Sequence, residues 1–444
     1  MRKQRVTPLI SGTLILTATG MISRIIGFFY RIFLSRNFGE EGMGIYQLLA
    51  PILALSFSFC VAGIQTAISK YVAEESSAKD CNASFHKFLA GTALSMMLSL
   101  LFSSVTYRHA EFLASEFLLE SRCAPMLRII ALSIPFASMH SCVNGYFYGI
   151  KKTGIPAATQ LAEQLARVGS VYLLLLYAHQ KNGVISINCA VIGLVVGEIV
   201  SMLISFFAIY QRFYQIRAAL RLPRLQEWTH AGSAIFSLAL PLSANRIVLN
   251  FLQSIEAIQI PNALMKYGHN NSSALGIYGM LTGMALPLVL FPCALTNSLA
   301  VMLLPTISEA EAANNHKKIH HTISTTLHSC TILGIFSTAL FLFFGEFLGN
   351  FLFSNKTVGG YIMTLSFICP FLYLSTTLGS ILHGLGRTRI TFCFSIVSLS
   401  IRLCFVFFLI PLYGIRGYLW GLLLSQLIHT FLLYLAVRRI TRFT

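Results

Sequence analysis

Five arginines stand inside segments that are otherwise apolar: Arg24, Arg128, Arg167, Arg246 and Arg402. The first lies in TATGMISRIIGFFYRIFLSRNFG, where Arg24 and Arg31 are seven residues apart and so share one helical face. Gly20 and Gly27 fall on a similar face and allow close approach of a neighbouring helix. A guanidinium in apolar surroundings is costly unless it meets water, an acid or an anion. Further along, Asn245, Arg246, Asn250, Gln253 and Glu256 make one segment too polar to face hydrocarbon. Arginine keeps its charge and presents a planar fork that matches phosphate oxygens. Arg24, Arg31 and Arg246, with Asn245 and Glu256 beside them, are therefore the expected contacts for an anionic, phosphate-bearing substrate. A second set, Glu163, Arg167 and Glu198, reads differently. Glu163 and Arg167 are placed i,i+4 for an ion pair, and Glu198 stands alone as a carrier of a proton or cation. A cationic substrate would need acids instead, and Glu198 and Glu256 leave that alternative open.

These residues sit in a chain of 444 residues that is 55% apolar and only 11% charged, with a mean hydropathy of +0.72. Soluble domains carry about 25% charged residues, so a large soluble enzyme is excluded. The net charge of +17 would suggest nucleic acid in a soluble protein. Here the basic residues lie mainly between long apolar runs, which is the pattern of membrane loops. The ten cysteines form no CxxC pair and read as small hydrophobes. No P-loop, HExxH or GxSxG motif occurs. His316, His320 and His321 cluster without cysteines or an acid array nearby. The chain is thus expected to be neither an enzyme nor a metalloprotein, and no cofactor is expected. Its first apolar stretch runs into more charged helix rather than a small-residue cleavage site, unlike a cleaved signal peptide.

A membrane-crossing helix needs about 20 mainly apolar residues. Twelve such spans are expected, near 9–33, 44–68, 86–107, 125–149, 157–178, 184–208, 232–256, 278–302, 323–345, 360–382, 390–410 and 416–437. With the N-terminus inside, nineteen Lys and Arg fall in inner segments and eight in outer ones. The bias predicts cytoplasmic N- and C-termini. The run FLASEFLL within the outer loop 108–122 could form a short interfacial helix. The longest basic connection, 209–231, carries Arg217, Arg221 and Arg224 at a spacing that would line one face of an amphipathic helix.

The chain also repeats itself. NGYFYGIKKTGIPAATQLAEQLAR ends at Arg167, and LGSILHGLGRTRITFCFSIVSLSIR ends at Arg402. A shift of 235 pairs Gly149 with Gly384, Lys152 with Arg387, Thr153 with Thr388, Ile155 with Ile390 and Arg167 with Arg402. A shift of 236 pairs Pro51 with Pro287, and one of 222 pairs Ser23–Arg24 with Asn245–Arg246. The expected fold is all-α, with two parallel six-helix halves, 1–208 and 232–444, joined by the basic linker 209–231. Parallel repeats related by an axis along the membrane normal suit alternating access through a cavity between them.

The run SRIIGFFYRIFLSRNFGEEGMGIYQLLAP, residues 23–51, resembles the first two helices of the stage V sporulation protein B family. GIQTAISKYVAE at 63–74, NGYFYGIKKTGIPAATQLAEQLAR at 144–167, LPTISEA at 304–310 and HGLGRTR at 383–389 agree with it. That family belongs to the wider group of multidrug, oligosaccharidyl-lipid and polysaccharide exporters, which includes the lipid II flippases. The resemblance implies a flippase that moves an undecaprenyl-diphosphate-linked saccharide, foremost peptidoglycan precursor, across the bacterial cytoplasmic membrane. Cell-wall synthesis proteins are the partners it would allow, and nucleic acid is not among them. It assigns the cavity roles to Arg24 and Arg31 in the first helix and Arg246 in the seventh. Lipid II flippases space the first pair SRxxGxxR, whereas this chain has SRxxGxxxR, like the sporulation-protein branch. Members of both branches commonly have fourteen helices, two more than the twelve expected here. The competing readings are a multidrug or cation antiporter of the same fold and a non-transporting scaffold in cell-wall assembly.

Overall fold

The computed structural model describes residues 8–77, 80–181, 186–216, 221, 223–313 and 315–443. Among these residues no strand occurs, and the elements are helices. Helix α1 (Pro8–Leu48) changes direction at Gly39, whose φ of 70° and ψ of −172° suit a residue without a Cβ. Next come α2 (Ala50–Phe57), a π-turn (Ser58–Ala62) and α3 (Gly63–Ser77). Asp80 then caps α4 (Cys81–Arg108) by accepting the Ala83 N–H at 2.9 Å. The FLASEFLL run is helical, as α5 (Ala110–Phe112) continuing into a π-turn (Leu113–Phe117). It is followed by α6 (Ala124–Gly149), α7 (Gly154–Gln180) and α8 (Asn188–Ile216).

The second part opens with α9 (Leu225–Tyr267), α10 (Asn271–Gly279), a π-turn (Met280–Ala285), α11 (Leu286–Val289) and α12 (Cys293–Ala312). Asn315 caps α13 (His316–Phe353) by accepting the Lys318 N–H at 3.0 Å. This cap lies 235 residues after Asp80, so the repeat register read from sequence also fixes where two helices begin. After α14 (Lys356–Ser366) come α15 (Cys369–Gly384), α16 (Thr388–Cys404), a π-turn (Phe405–Leu409), α17 (Ile410–Tyr413) and α18 (Ile415–Phe443). Arg36 closes the C-terminal end of α13, donating from Nε to the Leu352 carbonyl at 2.9 Å and from Nη2 to that of Phe351 at 2.7 Å. A cation there meets carbonyls that the helix leaves without partners.

All twelve expected spans fall mainly on helix, with short turns at 49, 186–187, 290–292 and 367–368, while residues 184 and 185 of the sixth lie outside the described residues. By length and apolarity alone, nine described segments can cross a membrane, or ten with the pair α14 and α15, which bends by 54°. The difference from twelve has two physical sources. The segment Ile15–Ser76 is 62 residues long, enough for two of the expected spans. Helix α7 has 27 residues but carries Glu163, Gln164 and Arg167, which lower its hydropathy. Arg2, Lys3, Arg5, Lys79 and Arg217 lie outside the described residues, whereas Arg221 and Arg224 are described and stand in non-helical backbone ahead of α9 rather than on the expected amphipathic helix.

Two compact units emerge. One comprises residues 1–30 and 48–254, the other 31–47 and 255–444. In the first, α6 packs on α3, α4 and α8, and α7 packs on α8. Its core includes Ile68, Phe88, Val143, Tyr146, Ile209 and Ile235. In the second, α15 packs on α12, α13 and α18, and α16 packs on α18. Its core includes Ile307, Ile319, Leu378, Ile381 and Leu433.

Candidate functional site

The cations expected to meet substrate are available to do so. Arg24 and Arg246 are exposed, both belong to the first unit, and neither has a hydrogen bond or ion pair among the described residues. Asn245 is exposed beside Arg246. Arg31, in the second unit, is half-buried with Tyr46 near it and has no carboxylate partner among the described residues. Other polar residues of α9 serve the fold. The Ser243 hydroxyl accepts the Gly63 N–H at 3.2 Å, just after the π-turn Ser58–Ala62. Asn250 donates from Nδ2 to Ser58 Oγ at 2.5 Å. Both bonds tie α9 to an irregular turn, at the Gly63 N–H and at Ser58 Oγ, which itself donates to the Ala54 carbonyl at 2.8 Å.

Glu256 is not joined to Arg246. It is buried in the second unit, where Arg402 Nη2 lies 2.9 Å from its Oε2 and the Tyr418 hydroxyl donates to its Oε1 at 2.8 Å. Three helices, α9, α16 and α18, are thus tied at one carboxylate. Only the paired, hydrogen-bonded state makes a buried carboxylate tolerable.

In the first unit, Glu163, Arg167 and Glu198 come together as a group, with a fourth member that sequence reasoning passed over. Arg167 Nη2 lies 2.5 Å from Glu163 Oε1 and 3.8 Å from Glu198 Oε1. His140 Nε2 lies 2.9 Å from Glu198 Oε2. Glu198 is therefore not isolated. All four side chains are 12–17% exposed. Helices α7 and α8 can approach this closely because Gly193 and Gly197 face Val171, Arg167 and Glu163, and a Cβ on Gly197 would stand only 3.0 Å from the Glu163 carbonyl oxygen. His140, Glu163 and Glu198 offer ligand atoms within 4.8 Å of one another. No metal-ligand spacing marks them in sequence, since each comes from a different helix. Their register in the repeat is the signal that could have found them.

Each unit also carries an apolar groove. One, of about 570 Å³, lies between α4, α6 and α8, with Phe85, Phe88 and Phe213 in its wall. The other, of about 530 Å³, lies between α13, α15 and α18, with Leu374, Leu427 and Phe431 in its wall. The two grooves use repeat-related helices. The ten cysteines are all free, and six are buried, consistent with packing roles.

Comparison with known proteins places this architecture. The signature of the family described as polysaccharide biosynthesis protein matches residues 9–311, and that of MatE matches residues 248–408. The chain is 26% identical to Stage V sporulation protein B of Bacillus subtilis (strain 168) over 427 residues, covering 95% of this chain and 82% of that protein. It is 23% identical to the lipid II flippase MurJ of the same organism, covering 88% of this chain and 75% of the relative. Among solved structures, an inward-facing multidrug resistance MATE family transporter matches with a TM-score of 0.73 at 12% identity, covering 97% of this chain and 98% of that one. The inward closed form of lipid II flippase MurJ matches with a TM-score of 0.72 at 16% identity, covering 96% and 87%. The all-helical, multi-pass fold is that of these transporters. The chain belongs to the polysaccharide biosynthesis protein family.

Proposed function

We propose that this protein moves a lipid-linked saccharide diphosphate across the bacterial cytoplasmic membrane by alternating access, with peptidoglycan precursor as the leading cargo. The observation that carries this reading is the set of three arginines without acidic partners among the described residues, Arg24, Arg31 and Arg246. A diphosphate would supply the counter-charge they lack, and the bidentate guanidinium geometry suits its oxygens. Asn245, next to Arg246, would add a neutral hydrogen bond to the head group. Glu256 is already neutralised by Arg402, so we assign it to holding α9, α16 and α18 rather than to the substrate. The apolar grooves are surfaces on which an isoprenoid or acyl chain can lie. In this account the halves 1–208 and 232–444 rock about the 209–231 segment with both termini in the cytoplasm, in keeping with the bias of basic residues. Cell-wall synthesis proteins are then candidate partners.

A second reading has its own support. The solved structures with this fold include multidrug transporters, and the His140–Glu163–Glu198 group supplies acids that a cationic substrate would seek. A binding measurement separates the two. Purified protein in detergent is mixed with a short-chain polyprenyl-diphosphate saccharide or with a cationic dye. Saturable binding of the diphosphate, weakened at least about tenfold by R24A/R246A, supports the flippase reading. That loss corresponds to about 1.4 kcal/mol. Dye binding that depends on Glu198, with no diphosphate binding, would replace it with the antiporter reading.

A further inference from the structure

The two units solve one packing problem with different chemistry. Where α6, α7 and α8 meet, His140 Nε2 contacts Glu198 at 2.9 Å and Arg167 contacts Glu163 at 2.5 Å. Where α15, α16 and α18 meet, Gln426 Nε2 donates to Ser375 Oγ at 2.7 Å. The Ser398 hydroxyl donates to the Ser425 carbonyl at 3.3 Å. The shift of 235 carries His140 onto Ser375, Glu163 onto Ser398 and Arg167 onto Arg402. Gly197 and Ser425 fix the last helix pair, because each sits against the same place on its neighbour, Glu163 and Ser398, which are again 235 apart. That register carries Glu198 onto Gln426. A His–Glu contact in one unit is thus a Ser–Gln contact in the other, and Glu163 is a serine. The fold accepts neutral residues at these three positions, with Arg402 paired instead to Glu256 on α9. Packing alone therefore does not require three titratable groups in the first unit.

We propose that His140, Glu163 and Glu198 around Arg167 form a proton-binding site that takes up and releases one proton. With both carboxylates ionised, Arg167 charged and His140 neutral, the group carries one net negative charge in a largely buried place. The contact to Glu198 requires a proton on Nε2 of a neutral His140, which leaves Nδ1 as the basic atom. That Nδ1 is buried and has no partner among the described residues. One proton added to the group makes it neutral, whether it rests on the imidazole or is shared with a carboxylate. Among the described residues, the charged groups acting on Glu163 are Glu198 on α8, Arg167 on α7 and His140 on α6. On the side of α6 that packs on α4, Cys142 meets the Ser95 and Thr92 hydroxyls within an apolar cluster. A divalent metal is disfavoured because the Arg167 guanidinium already bridges the two carboxylates. The proton site stands on its own geometry, while its use in driving transport rests on the transporter reading above.

The natural test transplants the neutral set. H140S/E198Q copies the contact of the second unit and leaves the Arg167–Glu163 pair in place, and H140Q/E198Q, which is equally neutral, is a second variant should the first not fold. Protons bound by the purified protein in detergent are counted between pH 8 and pH 5, the range in which histidine titrates. The wild type is expected to take up one more proton than either variant, and the transport rate to change with pH several-fold in the wild type alone. Equal proton uptake by all three proteins would overturn the proposal. So would stoichiometric binding of Zn²⁺ by the wild type at neutral pH, which would make the group a metal site. The proton count needs no substrate, so failure of the cargo assignment leaves it intact.

Discussion

Glu256 and Arg402 form a buried ion pair 2.9 Å long, although 146 residues separate them in the chain. Their partnership engages the acid of the seventh span, and Arg246 is left exposed without a counter-charge among the described residues. The same pair predicts a stability effect. R402A strands a buried carboxylate, a change that costs about 3–5 kcal/mol when one partner of a buried pair is removed. A marked fall in the thermal unfolding midpoint in detergent is expected, with substantial recovery in E256L/R402L. An unchanged midpoint for R402A would show that the pair does not hold α9, α16 and α18.

Arg24 and Arg246 should behave in the opposite way. Neither has a hydrogen bond or ion pair among the described residues, so R24A and R246A are expected to leave the unfolding midpoint within the range of ordinary surface changes, about 0.5 kcal/mol. Their loss should instead appear in binding and transport. R24K should recover only part of the function, since an ammonium keeps the charge but not the bidentate fork. Full activity in R24K would mean that charge alone matters at this position.

Gly197 is expected to be intolerant of bulk. A Cβ there would stand 3.0 Å from the Glu163 carbonyl oxygen and 3.3 Å from Arg167 Cβ. Gly197→Val forces α7 and α8 apart, with an overpacking cost of about 1–3 kcal/mol. It should also loosen the contacts among His140, Glu163 and Glu198, so the proton uptake of the first unit should fall together with stability. A variant of wild-type stability and proton uptake would contradict the role given to this close approach.

At the start of α9, the Glu227 carboxylate accepts the Arg224 N–H at 2.8 Å and meets the Arg221 guanidinium at 2.5 Å. Arg221 N–H in turn donates to Asn82 Oδ1 at 2.8 Å, linking this turn to the start of α4. The Arg224 hydrogen bond first, and then Arg221, lower the Glu227 pKa below the usual carboxylate range. A lowered native value means that the link stabilises the fold above the ordinary carboxylate pKa of about 4.3 and is lost as pH falls through the native value. Amide exchange at Arg224, corrected for intrinsic rate, should therefore be slow at neutral pH and accelerate only below about pH 4. E227Q should speed it several-fold at neutral pH, and high salt should narrow the difference because the pair is solvent-facing.

Much of the fold was legible because membrane helices declare themselves by length and apolarity. The repeat was legible because glycine, basic turn and arginine recur at one shift, and the caps Asp80 and Asn315 obey the same shift. The partners of the buried charges were not legible. Helical spacing reveals neighbours three or four residues apart, as with Glu163 and Arg167, but says nothing of Tyr418 reaching Glu256 or of His140 reaching Glu198. Glu198 looked solitary for that reason. The count of twelve exceeds the nine or ten segments that pass on apolarity, because polar residues that make α7 useful also make it a poor hydrocarbon-facing helix.

The central claim is that unpaired arginines carry a lipid diphosphate across the membrane. It is tested most directly by reconstituting the purified protein into vesicles and timing the appearance of a fluorescent polyprenyl-diphosphate saccharide on the far leaflet. The account predicts protein-dependent flipping in the wild type, at least about tenfold slower flipping in R24A with normal insertion, as expected for loss of one charge-assisted hydrogen bond of about 1.5–3 kcal/mol, and no movement of a cationic dye. Flipping by R24A at the wild-type rate, or dye transport without any lipid movement, would contradict it.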